Sequence, residues 1–311
     1  MFRIFGPPGT GKTTTLLNMV DEALEAGTNP QDIAFLAFTK KAANEAKERA
    51  AIRFGLDSKR DLVNFRTLHS MALMYSGIRP DEVMQSEHYR ELATATGVSL
   101  VTDSVTEADD LIEASKASDP ILGLINLARL KKTNLRDEYN RSNLSDDWVK
   151  VEYLAKALDN YKKRFGLYDF TDMLQVFIDN PQVCPHFKLT FLDEAQDLSP
   201  MQWDIAHILD AKSDRMYVAG DDDQAIYRWA GADVDHFINL PGGSETLSQS
   251  FRVPKSVHLL AESVASRIQR RFPKRYDPKE DIGRVARCST VNELDMAHGS
   301  WLILSQAGYL L

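Results

Sequence analysis

Three separated stretches of this 311-residue chain carry residue types that could do chemistry together. The first runs Gly6-Pro7-Pro8-Gly9-Thr10-Gly11-Lys12-Thr13-Thr14. Its glycines let backbone N–H groups turn inward on phosphate oxygens, and a helix starting at Lys12 would add the positive end of its dipole. In this phosphate-loop reading Lys12 reaches the β- and γ-phosphates of ATP and Thr13 ligates Mg2+. The second stretch is Asp193-Glu194-Ala195-Gln196-Asp197, at the end of an apolar run. There Asp193 would hold the metal and Glu194 would polarise the attacking water. The third is Gly220-Asp221-Asp222-Asp223-Gln224, followed by Tyr227 and Trp229. Gln224 is a neutral donor suited to sensing a γ-phosphate, whereas Asp222 and Asp223 read as a solvated turn. Two nearby aromatics can stack on unpaired bases at about 1–3 kcal/mol each, or simply pack in the core. Spacing alone favours the core.

The bulk composition sets bounds. Hydrophobic residues make up 43% and charged residues 26%, ordinary for a globular chain long enough for two cores. The net charge of −8 excludes a generic polyanion binder, so a nucleic-acid surface must be local. Two cysteines, Cys184 and Cys288, stand far apart and argue for neither a disulfide framework nor a zinc site. With no signal-like N-terminus and no apolar run of membrane-spanning length, the expectation is a cytoplasmic protein without a membrane partner.

These motifs need elements to hold them. Phe2–Phe5 reads as a short buried strand, then the glycine loop, then a helix from about Lys12 to Ala26 ended by Gly27. Residues 33–38 form a continuous apolar strand, and Thr39 can cap a helix over 40–54 closed by Gly55. This is the grammar of a parallel α/β sheet. From Ser86 to Arg164 the periodicity is helical, which reads as an insertion. Strands resume at 188–192 and 216–219 around a helix near 202–209. Leu240–Ser244 reads as a loop and a domain boundary. A helix over 255–271 and strands at 284–288 and 301–304 are expected beyond it. The cations Arg267, Arg270, Arg271, Lys274 and Arg275 read as a solvated helix end, or alternatively as a DNA-facing patch.

Together these segments resemble the UvrD/Rep/PcrA group of superfamily 1 helicases. Residues 37–49, starting Ala37-Phe38-Thr39-Lys40-Lys41, are similar to that group's motif Ia, and Thr67-Leu68-His69 to motif Ib. Tyr168–Leu174 resembles the short acidic motif before the Asp-Glu strand, Gly220–Ala232 resembles motif III, and Leu247–Arg252 resembles motif IV. The resemblance implies a RecA-like P-loop NTPase fold. Residues 1–76 and 166–243 would form the first motor domain, 77–165 a helical accessory insertion, and 244–311 the beginning of a second motor domain. It implies 3′-to-5′ movement on single-stranded DNA and action at duplex/single-strand junctions, fuelled by ATP and Mg2+. Thr39 and Thr67 would contact the strand's backbone. Tyr227 and Trp229 would stack on bases, and Arg252 would reach the γ-phosphate. His69 would lie along the strand path or serve the core.

The chain departs from the pattern in three places. It has no adenine-reading Gln motif upstream of Gly6. In motif III the arginine, Arg228, precedes Trp229 instead of following it. Motifs V and VI are absent. The expectation is therefore the N-terminal part of a helicase, with a second polypeptide as one source of the remaining motor domain. The alternatives are a shortened module binding nucleotide and single-stranded DNA, or a subunit of a helicase–nuclease.

Overall fold

A computed structural model describes residues 1–100, 119–290, 293, 296 and 298–302. At its centre six parallel strands lie in the order β3-β2-β4-β5-β1-β6. They are β1 (Phe2–Phe5), β2 (Ile33–Ala37), β3 (Phe65–Thr67), β4 (Phe187–Leu192), β5 (Ser213–Gly220) and β6 (Ser244–Thr246). Strand β2 is buried at all five residues, as a run of Ile-Ala-Phe-Leu-Ala covered on both faces must be.

Helices α1 (Lys12–Glu25) and α2 (Lys40–Phe54) cover one face. Leu16, Leu17, Val20 and Ala46 pack there against Ile4, Ile33, Phe35 and Phe191. Gly27, at φ +87, ends α1 in the left-handed conformation, and Thr28 N donates back to Ala23 O. Thr39 Oγ accepts from Ala42 N at 3.1 Å and caps α2, as its sequence position predicts. The opposite face is covered by α3 (Leu68–Ser76) and, later in the chain, α8 (Phe170–Asp179), α9 (Pro200–Ala211) and α10 (Val234–Asn239). Leu68, Phe177, Trp203 and Phe237 meet Phe5 and Leu36 there.

Between these halves lies the helical insertion, with α4 (Ser86–Thr96), α5 (Pro120–Leu130), α6 (Leu135–Arg141) and α7 (Trp148–Phe165). Residues 101–118 of the expected insertion fall outside the described residues. The insertion has its own core of Met84, Tyr89, Leu92, Ile125, Val151 and Leu154. A buried charge cluster fastens it to the sheet domain. Arg129 Nη1 on α5 donates to Asp169 Oδ2 at 2.8 Å and Arg129 Nη2 to Asp172; Lys162 Nζ on α7 donates to the same two carboxylates at 2.5 and 2.6 Å. Asp169 and Asp172 belong to the short acidic motif, which thus joins two cores.

Four expectations need correction. The boundary placed at 244 cuts through the sheet, because β6 pairs with β1 (Arg3 beside Ser244, Phe5 beside Thr246). Strands β3 and β6 are three residues each, too short for a periodicity to show. The helix expected to reach Arg271 stops as α11 (Lys255–Ala265). Pro273 disfavours helix in the residue before it, and Phe272 N donates to Asp222 Oδ2 instead of to a helical carbonyl. Residues 284–288 form no strand and are exposed. Of the strand expected at 301–304, Trp301 and Leu302 are likewise unpaired, and 303–304 lie outside the described residues.

Burial alone would raise the Asp169 carboxyl, but Arg129 and Lys162 outweigh it and hold it at about 2. A depressed carboxyl contributes stability above its unfolded value near 3.8, and loses it as pH falls towards 2. Asp169→Ala, leaving two buried cations underpaired, is expected to cost about 3–5 kcal/mol in chemical denaturation at pH 7. The gap between wild type and variant should narrow as pH falls below about 4 and close towards about pH 2, where the native carboxylate is itself being protonated.

Candidate active site

Parallel strands all end at one edge of a sheet, and each motif leaves a strand there. The glycine loop follows β1, Thr39 follows β2, Thr67 ends β3, Asp193 follows β4, and Asp221–Gln224 follows β5. Ligand crevices of open α/β sheets form at this edge.

The loop builds an anion cradle. Gly9 and Gly11 adopt φ +74 and +82, and no side chain caps α1, so the N–H groups of its first turn are left for a ligand. Lys12 lies across the loop. Its Nζ donates to Gly6 O at 3.0 Å and stands 3.8 Å from Glu194 Oε2. A Cβ on Gly6 would meet Lys12 Cγ at 1.8 Å, so the lysine requires glycine there. Pro7 and Pro8 supply carbonyls: Thr10 Oγ donates to Pro7 O at 2.8 Å and Ser250 Oγ to Pro8 O at 2.7 Å. Thr14 follows in the first turn of α1.

Thr13 Oγ donates to Asp193 Oδ2 at 2.8 Å. Two hard oxygens at that spacing match neighbouring positions of an octahedral Mg2+ ion, whose bonds of about 2.0–2.1 Å set such ligands about 2.9 Å apart. Burial and the neighbouring Glu194 push the Asp193 carboxyl up to about 6, against the pull of Lys12 and Thr13. A carboxylate so short of countercharge suits a cation.

Glu194 sits at φ 56, one of two non-glycine residues with positive φ among those described. Such a conformation costs about 1–3 kcal/mol and persists only where surroundings impose it. A hydrogen-bond path leads from it to the third motif. Gln196 Nε2 donates to Glu194 Oε2 at 2.8 Å, and Gln196 Oε1 accepts from Asp221 N at 3.0 Å. Asp221 Oδ2 accepts from Gln224 Nε2 at 2.6 Å. A Cβ on Gly220 would lie 2.6 Å from Gln196 Oε1, so this path passes through a gap only glycine leaves. Asp197, raised to about 7 by burial and Glu194, accepts from Gln196 as well.

Arg252 reaches the cradle from the segment after β6. Phe251 N donates to Gly9 O at 2.9 Å, and a Cβ on Gly9 would be 2.3 Å from Arg252 Cβ. The expectation of an arginine arriving from a separate second domain is thus replaced by one on the segment that follows the last strand of the same sheet. Phe251 is 75% exposed beside the loop.

The strand-contact candidates gather at the β2–β3 end. Ala37 pairs with Thr67, which is buried and caps α3 through Ser70 N at 3.2 Å. Thr39 caps α2, so two helix N-termini lie side by side. The Tyr227 ring stacks on Phe38 at 5.9 Å and is half-buried, whereas Trp229 is 54% exposed. Tyr227 thus makes a core contact, and its ring also meets Trp229 at 6.3 Å. Ile226, 69% exposed, stands with them and carried no signal in the sequence. His69 is half-buried, its Nε2 has no hydrogen-bond partner among the described residues, and burial lowers it to about 4. It is held neutral against Phe170.

Two sequence readings are overturned here. Asp222 and Asp223 are not solvated. Asp222 is 6% exposed and accepts from Lys274 Nζ at 2.6 Å, and Asp223 pairs with Arg271 at 2.6 Å. Part of the basic cluster is correspondingly neither a free helix end nor an open patch, since Arg271 and Lys274 turn inward and Arg270 pairs with Asp235 at 2.9 Å. Asp223 and Arg271 are 48 residues apart and Asp222 and Lys274 are 52, so neither run of like charge reveals the other. Among the described residues, no helix is long and apolar enough to cross a membrane.

Comparison with known proteins agrees with this geometry. The chain is 27% identical over 88% of its length to the ATP-dependent DNA helicase PcrA of Leuconostoc citreum, covering 38% of that protein. It is 28% identical to PcrA of Bacillus subtilis (strain 168), over 88% of the chain and 39% of the relative. To the putative ATP-dependent DNA helicase YjcD of the same strain it is 26% identical, over 88% and 37%. It thus spans about two fifths of the length of these relatives. Residues 2–242 match the UvrD/REP helicase N-terminal domain, and the chain belongs to that family.

Proposed function

We propose that this chain is the nucleotide-hydrolysing part of an ATP-dependent DNA helicase that tracks single-stranded DNA 3′-to-5′ and acts at duplex/single-strand junctions. The observation that carries the reading is the continuous path from Lys12 and Glu194 through Gln196 and Asp221 to Gln224, three residues before Tyr227. Such a path lets a change at the phosphates reach the aromatic pair. The uncapped start of α1 and Lys12 bind the phosphates, with residues 6–14 wrapping them. Thr13 and Asp193 would hold Mg2+, which supplies charge neutralisation at the phosphates when bound. Glu194, held in the cleft by its backbone conformation, orients and deprotonates the attacking water. Gln224 senses the γ-phosphate, and Arg252 stabilises the charge that develops on it. Thr39 and Thr67, at adjacent helix N-termini, position a strand backbone, while Tyr227 and Trp229 supply base-stacking faces. The direction of travel rests on the likeness of the Gln224–Tyr227 segment to the 3′-to-5′ branch.

Unwinding is proposed for this chain together with the remaining motor elements of its relatives, supplied by continuing chain or by a second polypeptide. Alone, the 311 residues are expected to bind single-stranded DNA and to show little duplex unwinding in a strand-displacement assay. DNA-stimulated ATP hydrolysis tests the chemistry directly. Glu194→Gln should lower turnover about 100-fold or more while keeping nucleotide affinity. Equal, near-zero rates for wild type and variant, unrestored by the missing motor elements, would instead favour a binding module.

The cradle itself yields a paired test. Gly9→Ala places a methyl into Arg252 at positive φ and should abolish measurable nucleotide binding. Gly27→Ala has similar φ but open space around it. It should cost about 1 kcal/mol of stability and leave nucleotide affinity unchanged, as read by calorimetry.

A further inference from the structure

The buried carboxylates of the Asp221–Asp223 turn have a use that the proposed reaction does not explain. Lys274 Nζ stands 3.1 Å from Asp221, 2.6 Å from Asp222 and 2.8 Å from Asp223, and its side chain is 1% exposed. Arg271 adds a contact to Asp223, and Phe272 N donates to Asp222 at 2.7 Å. The Phe272 ring stacks on Phe5, the last residue of β1, at 3.8 Å and 4°. Three carboxylates cannot be buried together without countercharge, so this turn takes its shape only when residues 271–274 lie against it.

The same segment touches the cradle from its other end. Asp277 N donates to Ser248 O at 2.7 Å, and Ser250 N donates to Asp277 O at 2.8 Å. Ser250 in turn bonds Pro8 O, and Arg252 lies two residues on. One short stretch, 271–277, therefore grips both the turn that carries Gln224 and the segment after β6 that carries Arg252. It lies outside residues 2–242, which match the family domain.

We propose that Lys274 is a positioning residue: through the Asp221–Asp223 turn it sets Gln224 in register with Arg252, so that both meet the γ-phosphate at once. The proposal rests on the reading of Gln224 and Arg252 given above. It makes the discrimination between nucleoside triphosphate and diphosphate depend on a lysine that touches neither.

The test is the affinity of the full chain for ATPγS and for ADP, each with Mg2+, with thermal unfolding measured in parallel. Wild type should prefer ATPγS. Lys274→Met should keep ADP affinity within about threefold while lowering the ATPγS preference at least fivefold; Lys274→Arg should retain the preference. Gln224→Ala added to Lys274→Met should lower it no further, because coupled sites are non-additive. An unchanged preference in a folded Lys274→Met, or an equal loss for both nucleotides, overturns the proposal. So does a wild type that binds without preference. If Lys274→Met does not fold, Arg271→Gln is read in its place, with the same expected loss and the same overturning result. Wild type that binds neither nucleotide, or Lys12→Ala that binds as wild type does, would instead sink the nucleotide-site reading itself.

Discussion

Everything at this site depends on the six strands being parallel. In an antiparallel sheet, successive loops would leave opposite edges and the phosphate loop, the acids and the sensor could not converge. Parallel strands send every carboxyl end the same way, and helices returning across both faces make each strand apolar throughout, as β2 shows. The arrangement also aligns helix N-termini with the crevice. α3 begins directly at the end of β3, α2 just after β2, and α1 after the glycine loop that follows β1, so three partial positive charges line an edge of a chain whose net charge is −8.

Within that frame, close approach is bought with glycine. Gly6 admits Lys12, Gly9 admits Arg252, and Gly220 admits Gln196. Gly6 removes a Cβ where the loop folds over its own lysine, and Gly9 and Gly220 where two motifs must touch, which connects the loops into one surface. Charge burial then fixes the surface's shape. Asp193 and Asp197 are short of positive partners and are pushed up to about 6 and 7, while each of Asp221–Asp223 has a cation beside it in Lys274 or Arg271. Under the proposed reading, Asp193 is left to take an incoming cation. The triple turn is structural, which is why two acid clusters of similar composition serve different ends.

Much of this was legible in sequence because it is local. The glycine loop, the Asp-Glu pair, Thr39 as a cap and the strand–helix alternation all follow from spacing within a dozen residues. What escaped was non-local. The partnership of Asp222 with Lys274 spans 52 residues, so the acids looked solvated and the cations looked free. The placement of β6 beside β1 depends on a three-residue strand after a Gly-Gly loop that reads as a boundary. Gln196 was passed over because an uncharged side chain between acids carries no motif signal, yet it links Glu194 to Asp221. The helix expected to run to Arg271 failed for a related reason: tertiary charge pairing drew Arg271 and Phe272 out of helical geometry beside Pro273.

The same pairing bears on how an acidic chain could hold DNA. With Arg271 and Lys274 engaged by buried carboxylates and Arg270 paired with Asp235, only part of that basic run, Arg267 and Arg275, is left to replace counterions along a phosphate backbone. Under the proposed reading, the grip falls to the helix N-termini behind Thr39 and Thr67 and to the faces of Tyr227 and Trp229. Dipoles and stacking are weaker than a lysine groove, less sensitive to salt, and indifferent to base sequence. A protein that must release one nucleotide to take the next is served by contacts of that kind. On that same reading, placing Tyr227 and Trp229 three and five residues after Gln224 would let the state of the nucleotide decide when they let go.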